Sequence, residues 1–318
     1  MFRIIFLIFI ISFSACQQTD KETLVIFHAG SLSYPMKSVI EAFHQQYPGI
    51  QVVTEAAGSV ATARKLTDLH RQADILALAD YQIIDQMLIP EYAGFNLHFA
   101  TNSIGIAYLP ASRFADSINK QNWSQILRKD GIKLGASDPN ADPCGYRTRM
   151  IWQLTQQMEQ DTTLASDFLD ENKYHQRPKE TDLIALLETG SIDYLFIYKS
   201  VAVLHGLNFL ELGDSLNLGN PELDPWYENA KVNIRGTKAG ENIEMKGEAI
   251  TYGLTVPHNA PNKTAAFLFL NFLLDSEKGK ILLKKTGLQP LDPVRIRIKG
   301  DLPKELHIVQ PIILNSKE

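Results

Sequence analysis

Two glycine-serine loops carry the side chains best placed to hold a ligand. Gly30-Ser31 follows the apolar run Leu24-Val25-Ile26-Phe27, and Gly58-Ser59 follows Ile50-Gln51-Val52-Val53. Each leads from a strand-like run into a helix-like one. Met36, Val39, Ile40 and Phe43 recur at helical spacing after the first, and Val60, Ala63 and Leu66 do so more weakly after the second. Glycine lets the backbone approach a ligand, and serine is a preferred helix N-cap. Helix N-termini present unpaired N–H groups and partial positive charge. Two such ends converging form an anion cradle without Lys or Arg. Either loop alone reads as ordinary strand-to-helix punctuation. The pair, at the same relative place in successive βα units, reads as a ligand site.

Three further segments carry polar groups at the ends of apolar runs. Ser137-Asp138-Pro139-Asn140-Ala141-Asp142-Pro143-Cys144-Gly145-Tyr146-Arg147 is rich in turn formers and leads into a helix from Tyr146. Its simplest reading is an Asx-turn with helix caps. Glu180 opens another helix, where an acidic residue ordinarily compensates the dipole. Tyr198 closes the apolar run Tyr194-Leu195-Phe196-Ile197, a place where tyrosine is more often core than ligand. His28 adjoins the first loop, and a lone histidine beside a turn is more often structural. The other histidines show no metal spacing, and neither serine has the Gly-x-Ser-x-Gly setting of a hydrolase nucleophile.

The elements that must position these groups alternate along the chain. Strands are expected at 24–27, 51–54, 75–78, 103–108, 133–136, 194–197, 208–211 and 251–256. Helices are expected at 34–46, 60–72, 81–88, 123–128, 146–160, 180–189, 262–274 and 277–286, the last stopped by Gly287. This alternation predicts an α/β fold with helix-covered sheets. The extended stretches 97–107 and 245–256 read as two crossings between lobes. A first lobe would hold 23–100 plus 249–318 and a second 101–248. Ligands of open α/β sheets bind beyond the C-terminal strand ends, which would be the cleft between them.

The chain has 318 residues and a formal net charge of −5, which argues against nucleic acid as partner. Arg3 followed by the apolar run 4–13 and Ser14-Ala15-Cys16 reads as a signal peptide, residues 1–15, cut ahead of a lipidated Cys16. Losing Arg3 takes the net charge to −6. Residues 16–22 are polar and read as a tether. Cys144 then has no partner, so no intramolecular disulfide is expected. The apolar stretch 265–274 is too short to cross a bilayer and reads as a buried helix.

Taken in order, His28-Ala29-Gly30-Ser31-Leu32-Ser33, Glu55-Ala56-Ala57-Gly58-Ser59 and Asp138 to Arg147 resemble the archaeal-type molybdate/tungstate-binding proteins of ABC importers. Asp193 to Ala202 and Ile250 to Pro257 extend the resemblance over nearly all of the chain beyond the signal segment. The resemblance implies a two-lobed periplasmic-binding-protein fold of type II, with two crossover strands and mixed sheets flanked by helices. It implies binding of tungstate or molybdate without catalysis or cofactor, and delivery to an ABC permease. A monomer in the periplasmic cell envelope is expected, held at the membrane only by the lipid anchor read at Cys16. Residue by residue, Ser31 and Ser59 match the oxyanion donors of the first lobe. Asp142 and Glu180 match carboxylates that ligate the metal of the bound oxyanion. Tyr198 matches a tyrosine donor, and the backbone at Cys144 adjoins the site. Asp182 and Glu188 are the alternatives to Glu180, and Asp138 is the alternative to Asp142.

Two carboxylates suit this ligand on physical grounds. Against a dianion they are repulsive by several kcal/mol at short range in a partly buried site. Sulfate and phosphate offer no compensation, whereas molybdenum(VI) and tungsten(VI) accept extra hard oxygen ligands. Two other functions compete with this reading. One is a receptor for sulfate or phosphate. The other, of a different class, is a metal-dependent hydrolase using Asp142 and Glu180, which lacks a histidine partner.

Overall fold

The computed structural model describes residues 22–170, 172–236, 238, 240–299, 303–307 and 311–314. The signal segment and Cys16 lie outside the described residues. Fourteen strands are described: β1 (Glu22–Ala29), β2 (Ile50–Ala57), β3 (Ile75–Leu78), β4 (Phe95–Thr101), β5 (Ile104–Tyr108), β6 (Leu134–Ser137) and β7 (Tyr174–Arg177), then β8 (Tyr194–Tyr198), β9 (Asn208–Leu210), β10 (Lys231–Arg235), β11 (Asn242–Lys246), β12 (Thr251–Thr255), β13 (Gln289–Ile298) and β14 (Ile312–Leu314). They form a seven-stranded sheet in the order β14-β13-β4-β12-β3-β1-β2 and a five-stranded sheet in the order β7-β6-β8-β5-β9, with β10 and β11 as a separate hairpin.

Both sheets are mixed. β1 runs parallel to β2 and β3, while β12 is antiparallel to β3 and β4. β6 runs parallel to β7 and β8, while β5 is antiparallel to β8 and β9. The chain passes from the first sheet to the second through Asn102-Ser103 and returns through β12.

Burial follows the helical periodicity. Met36, Val39 and Phe43 of the helix Ser33–Gln46 face the core, as do Val60, Ala63 and Leu66 of Ser59–Thr67. The helix Lys263–Leu274 buries eight side chains, and Phe269 and Phe272 pack edge-on against Phe43. Among the described residues, no helix is long and apolar enough to cross a membrane. Gly287 stops the helix Gly279–Lys285 at φ +89°, a conformation that favours glycine.

Several expectations need correction. The helix expected from Tyr146 begins at Pro143, because Asp142 caps it by accepting from the Cys144 N–H. The helix expected over 60–72 ends at Thr67. The one expected over 81–88 is a short α turn, Tyr81–Ile83, followed by a wider π turn, Ile84–Leu88. Glu180–Leu183 is a 3-10 turn ahead of the helix Ile184–Glu188. β7, the β10–β11 hairpin, β13 and β14 were not expected. β10 and β11 alternate exposed and half-buried residues with one buried position each, too weak a pattern to stand out.

Candidate functional site

The first loop turns tightly after β1. Gly30–Leu32 forms a 3-10 turn, and Ser33 Oγ donates to the Gly30 carbonyl at 2.8 Å. In the second loop Gly58 holds the N-cap position and Ser59 is the first helical residue. Neither Ser31 nor Ser59 caps a helix, which corrects the capping expectation. Their hydroxyls serve elsewhere. Ser59 Oγ accepts from the Ala79 N–H at 2.9 Å, and Ser31 Oγ accepts from the Tyr252 hydroxyl at 3.1 Å. Both serines are buried.

Across from these loops stand the acidic residues of the second sheet. Asp142 and Glu180 are 2 % and 1 % exposed. The Glu180 N–H donates to Asp142 Oδ2 at 3.0 Å, and the Cys144 N–H donates to Asp142 Oδ1 at 3.4 Å. Glu180 Oε1 is buried without a hydrogen-bond partner. Burial first, then the negative charge of Asp142, pushes the Glu180 carboxyl well above the usual carboxylate range. A buried carboxyl oxygen left without a partner, beside a second carboxylate, is costly.

The alternative carboxylates stand apart. Asp182 and Glu188 are exposed, and Asp182 pairs with Lys179 at 3.3 Å. Asp138 accepts from the Asn140 N–H in an Asx-turn, so that turn reading holds for Asp138 while Asp142 turns inward.

The two sets of loops meet. A side chain at Gly58 would overlap the Ala141 carbonyl oxygen and come within 2.9 Å of Asp142 Cβ. The Ala61 N–H donates to that same carbonyl at 3.1 Å. Gly30 lies against Thr181, Lys179 and Glu180 Oε2, the last 3.6 Å from where a Cβ would stand. Arg64 reaches over to the Asn140 carbonyl at 2.9 Å. The loops of the first sheet therefore close directly over the carboxylates of the second.

Tyr198, at the end of β8, is fully buried, and its hydroxyl accepts from Arg147 Nη1 at 2.8 Å. Arg147 also donates to the Ala79 carbonyl at 2.7 Å and pairs with Asp80 at 2.9 Å. Tyr146 donates to the same Asp80 oxygen at 2.5 Å. Arg147 and Asp80 form a buried ion pair between the two sheets. Asp80 had no motif of its own, and Arg147 lay inside the quoted loop without a role. The available signal for Asp80 was its place two residues beyond the end of the fully buried β3. His28 directs Nδ1 at the Ala29 carbonyl, 2.8 Å away, and burial pushes its pKa down, in keeping with a structural role. The Cys144 thiol is buried against the Phe196 carbonyl.

Comparison with known proteins agrees with this architecture. The profile of the bacterial extracellular solute-binding proteins matches residues 24–289. The chain belongs to that family. An uncharacterised solute-binding protein of Petrotoga mobilis is 40% identical over 296 residues, covering 92% of each chain. A molybdate/tungstate-binding protein of Thermococcus kodakarensis is 39% identical over 318 residues, covering 91% of this chain and 87% of that one. In fold, this solute-binding protein superimposes on the periplasmic molybdate-binding protein of Azotobacter vinelandii with a TM-score of 0.60 at 12% identity, covering 83% of this chain and 98% of that one. The family's extracellular character carries an extracytoplasmic location for its members.

Proposed function

We propose that this solute-binding protein holds tungstate or molybdate between its two sheets and delivers it to an ABC permease, without catalysing a reaction. The reading rests chiefly on one observation: Asp142 and Glu180 lie buried side by side, with Glu180 Oε1 unpartnered, under the Gly30-Ser31 and Gly58-Ser59 turns. In this reading Asp142 and Glu180 ligate the metal of the oxyanion. Ser31, Ser59 and Tyr198 donate to its oxygens, and the Cys144 backbone borders the site. A tetrahedral sulfate about 4 Å from one such carboxylate would meet a repulsion on the order of 8 kcal/mol, two charges against one at an effective dielectric near 20. The molybdate/tungstate-binding relatives of Thermococcus kodakarensis and Pyrococcus abyssi, 39% and 38% identical, support the same ligand class.

The lobes in this proposal comprise 23–100 plus 249–318 and 101–248, hinged where the chain crosses between sheets. Anchoring through a lipidated Cys16, a monomeric state and a periplasmic envelope location complete the reading. Calorimetric titration with tungstate, molybdate, sulfate and phosphate tests it, together with mass-spectrometric metal analysis of the purified protein. Tungstate or molybdate should bind tightly and the other two should not. Sulfate binding as tight as tungstate would replace this reading with a receptor for tetrahedral oxyanions.

A further inference from the structure

The orientation of the Ser31 hydroxyl is fixed by groups where the chain crosses between the two sheets. Asn102 lies in the crossing between β4 and β5. Its Oδ1 accepts from the Ser103 N–H at 2.9 Å and the Ser200 N–H at 3.4 Å. Backbone N–H groups only donate, so they settle which end of the amide is oxygen. Nδ2 must then donate, to Ser200 Oγ at 2.7 Å and to the Tyr252 hydroxyl at 3.0 Å. Tyr252, on the returning strand β12, has its acceptor side occupied, and its own proton goes to Ser31 Oγ. Among the described residues Ser31 Oγ makes no other hydrogen bond, so its proton is left for a ligand.

We propose that Asn102 and Tyr252 are positioning residues that make Ser31 a donor toward the bound oxyanion. The proposal rests on the oxyanion reading of the site and adds the residues that set its polarity. Tyr198 and Ser59 follow the same pattern, accepting from Arg147 and from the Ala79 N–H, which leaves their protons free. A hydroxyl free to rotate would present its lone pairs to an anion part of the time, and ordering it on binding would weaken the net interaction. Asn102 also bonds Ser200, directly beyond Tyr198 and Lys199, so the relay spans both sheets at the crossing.

A double-mutant cycle read by calorimetry with sodium tungstate and sodium molybdate tests the relay. Tyr252→Phe removes one hydroxyl and should weaken binding roughly five- to tenfold, the scale of one neutral hydrogen bond. In a Ser31→Ala background the same change should cost less than about twofold, because the group it orients is gone. Asn102→Asp keeps the side-chain shape but cannot donate. Tyr252 then donates to the new carboxylate, Ser31 must donate to Tyr252, and the lone pairs face the anion. Part of that loss should likewise vanish with Ser31→Ala, and the remainder reports the added charge. Equal losses from Tyr252→Phe and from Asn102→Asp with Ser31 present or absent would overturn the relay, since a purely structural role acts on both backgrounds alike. Melting temperatures of the ligand-free variants check folding, and the Asn102→Asp cycle stands alone if Tyr252→Phe does not fold. A wild-type protein that binds neither anion would overturn the oxyanion reading itself, and the relay with it.

Discussion

The Glu180 N–H donates to Asp142 Oδ2 at 3.0 Å, joining two acidic residues 38 positions apart in sequence inside the same buried space. One loop ends in the cap of the helix Pro143–Glu159 and the other opens the turn Glu180–Leu183. A bond from the backbone of one to the carboxylate of the other fixes their separation before any ligand arrives. That spacing carries the first expected outcomes.

Asp142→Asn and Glu180→Gln should each weaken tungstate binding more than tenfold, and together abolish it. An amide keeps the shape but loses the anionic ligand. Asparagine caps helices as well as aspartate, but its amide nitrogen cannot accept the Glu180 N–H, so Asp142→Asn should also cost about 1–3 kcal/mol of ligand-free stability. Calorimetry and denaturant melts separate the two effects. Near wild-type tungstate affinity in both variants would show that these carboxylates do not ligate.

Ligand-free stability should fall as pH rises above the ordinary glutamate range, near about 4.3. Burial and Asp142 raise the Glu180 pKa in the folded chain above its unfolded value. Between those two values the folded chain holds a proton that the unfolded chain has lost. Raising the pH therefore favours unfolding across this window, and the contribution is fully retained only below it. Urea melts at several pH values should show this slope in wild type and a flatter one in Glu180→Gln. An unchanged slope in the variant would assign it to other groups.

Gly58→Ala should impair closure. Gly58 sits at φ −60°, so alanine meets no backbone strain, only the Ala141 carbonyl and Asp142 Cβ opposite. Tungstate affinity should drop more than tenfold, and small-angle scattering at saturation should show a larger radius of gyration than wild type. Gly49→Ala, with open space around its Cβ, is the control. Equal scattering profiles for the Gly58 variant and wild type would mean the contact yields without cost.

Asp80→Asn should destabilise the form in which the two sheets meet. It leaves the fully buried Arg147 without its ion-pair partner, a loss on the order of 3–5 kcal/mol when one member of a buried pair is removed. Because Arg147 also holds the Tyr198 hydroxyl, tungstate affinity should fall along with the melting temperature. A variant that melts like wild type would show that the pair is solvated before ligand binds.

Tungstate and molybdate should raise the melting temperature by several degrees at about 100 times their dissociation constants, where linkage supplies about 2.7 kcal/mol. Sulfate and phosphate at the same concentrations should leave it unchanged. Thermal-shift scans with all four anions decide this.

The sequence by itself determined the α/β alternation, the buried faces of the helices Ser33–Gln46 and Ser59–Thr67, and the stop at Gly287. Each of these is a local matter of apolar spacing or backbone conformation, readable within a dozen residues. The family could also be read, because its loops are contiguous motifs. The resemblance favoured Asp142 over Asp138 and Glu180 over Asp182 and Glu188, but their burial is a matter of the tertiary structure. Asp138 and Asp142 sit four residues apart in one loop, yet the first closes an Asx-turn and the second receives the Glu180 N–H. Asp80, Arg147, Asn102 and Tyr252 were likewise illegible as partners. Their roles come from hydrogen bonds spanning 51 to 221 positions, and nothing in local spacing records what lies across a cleft.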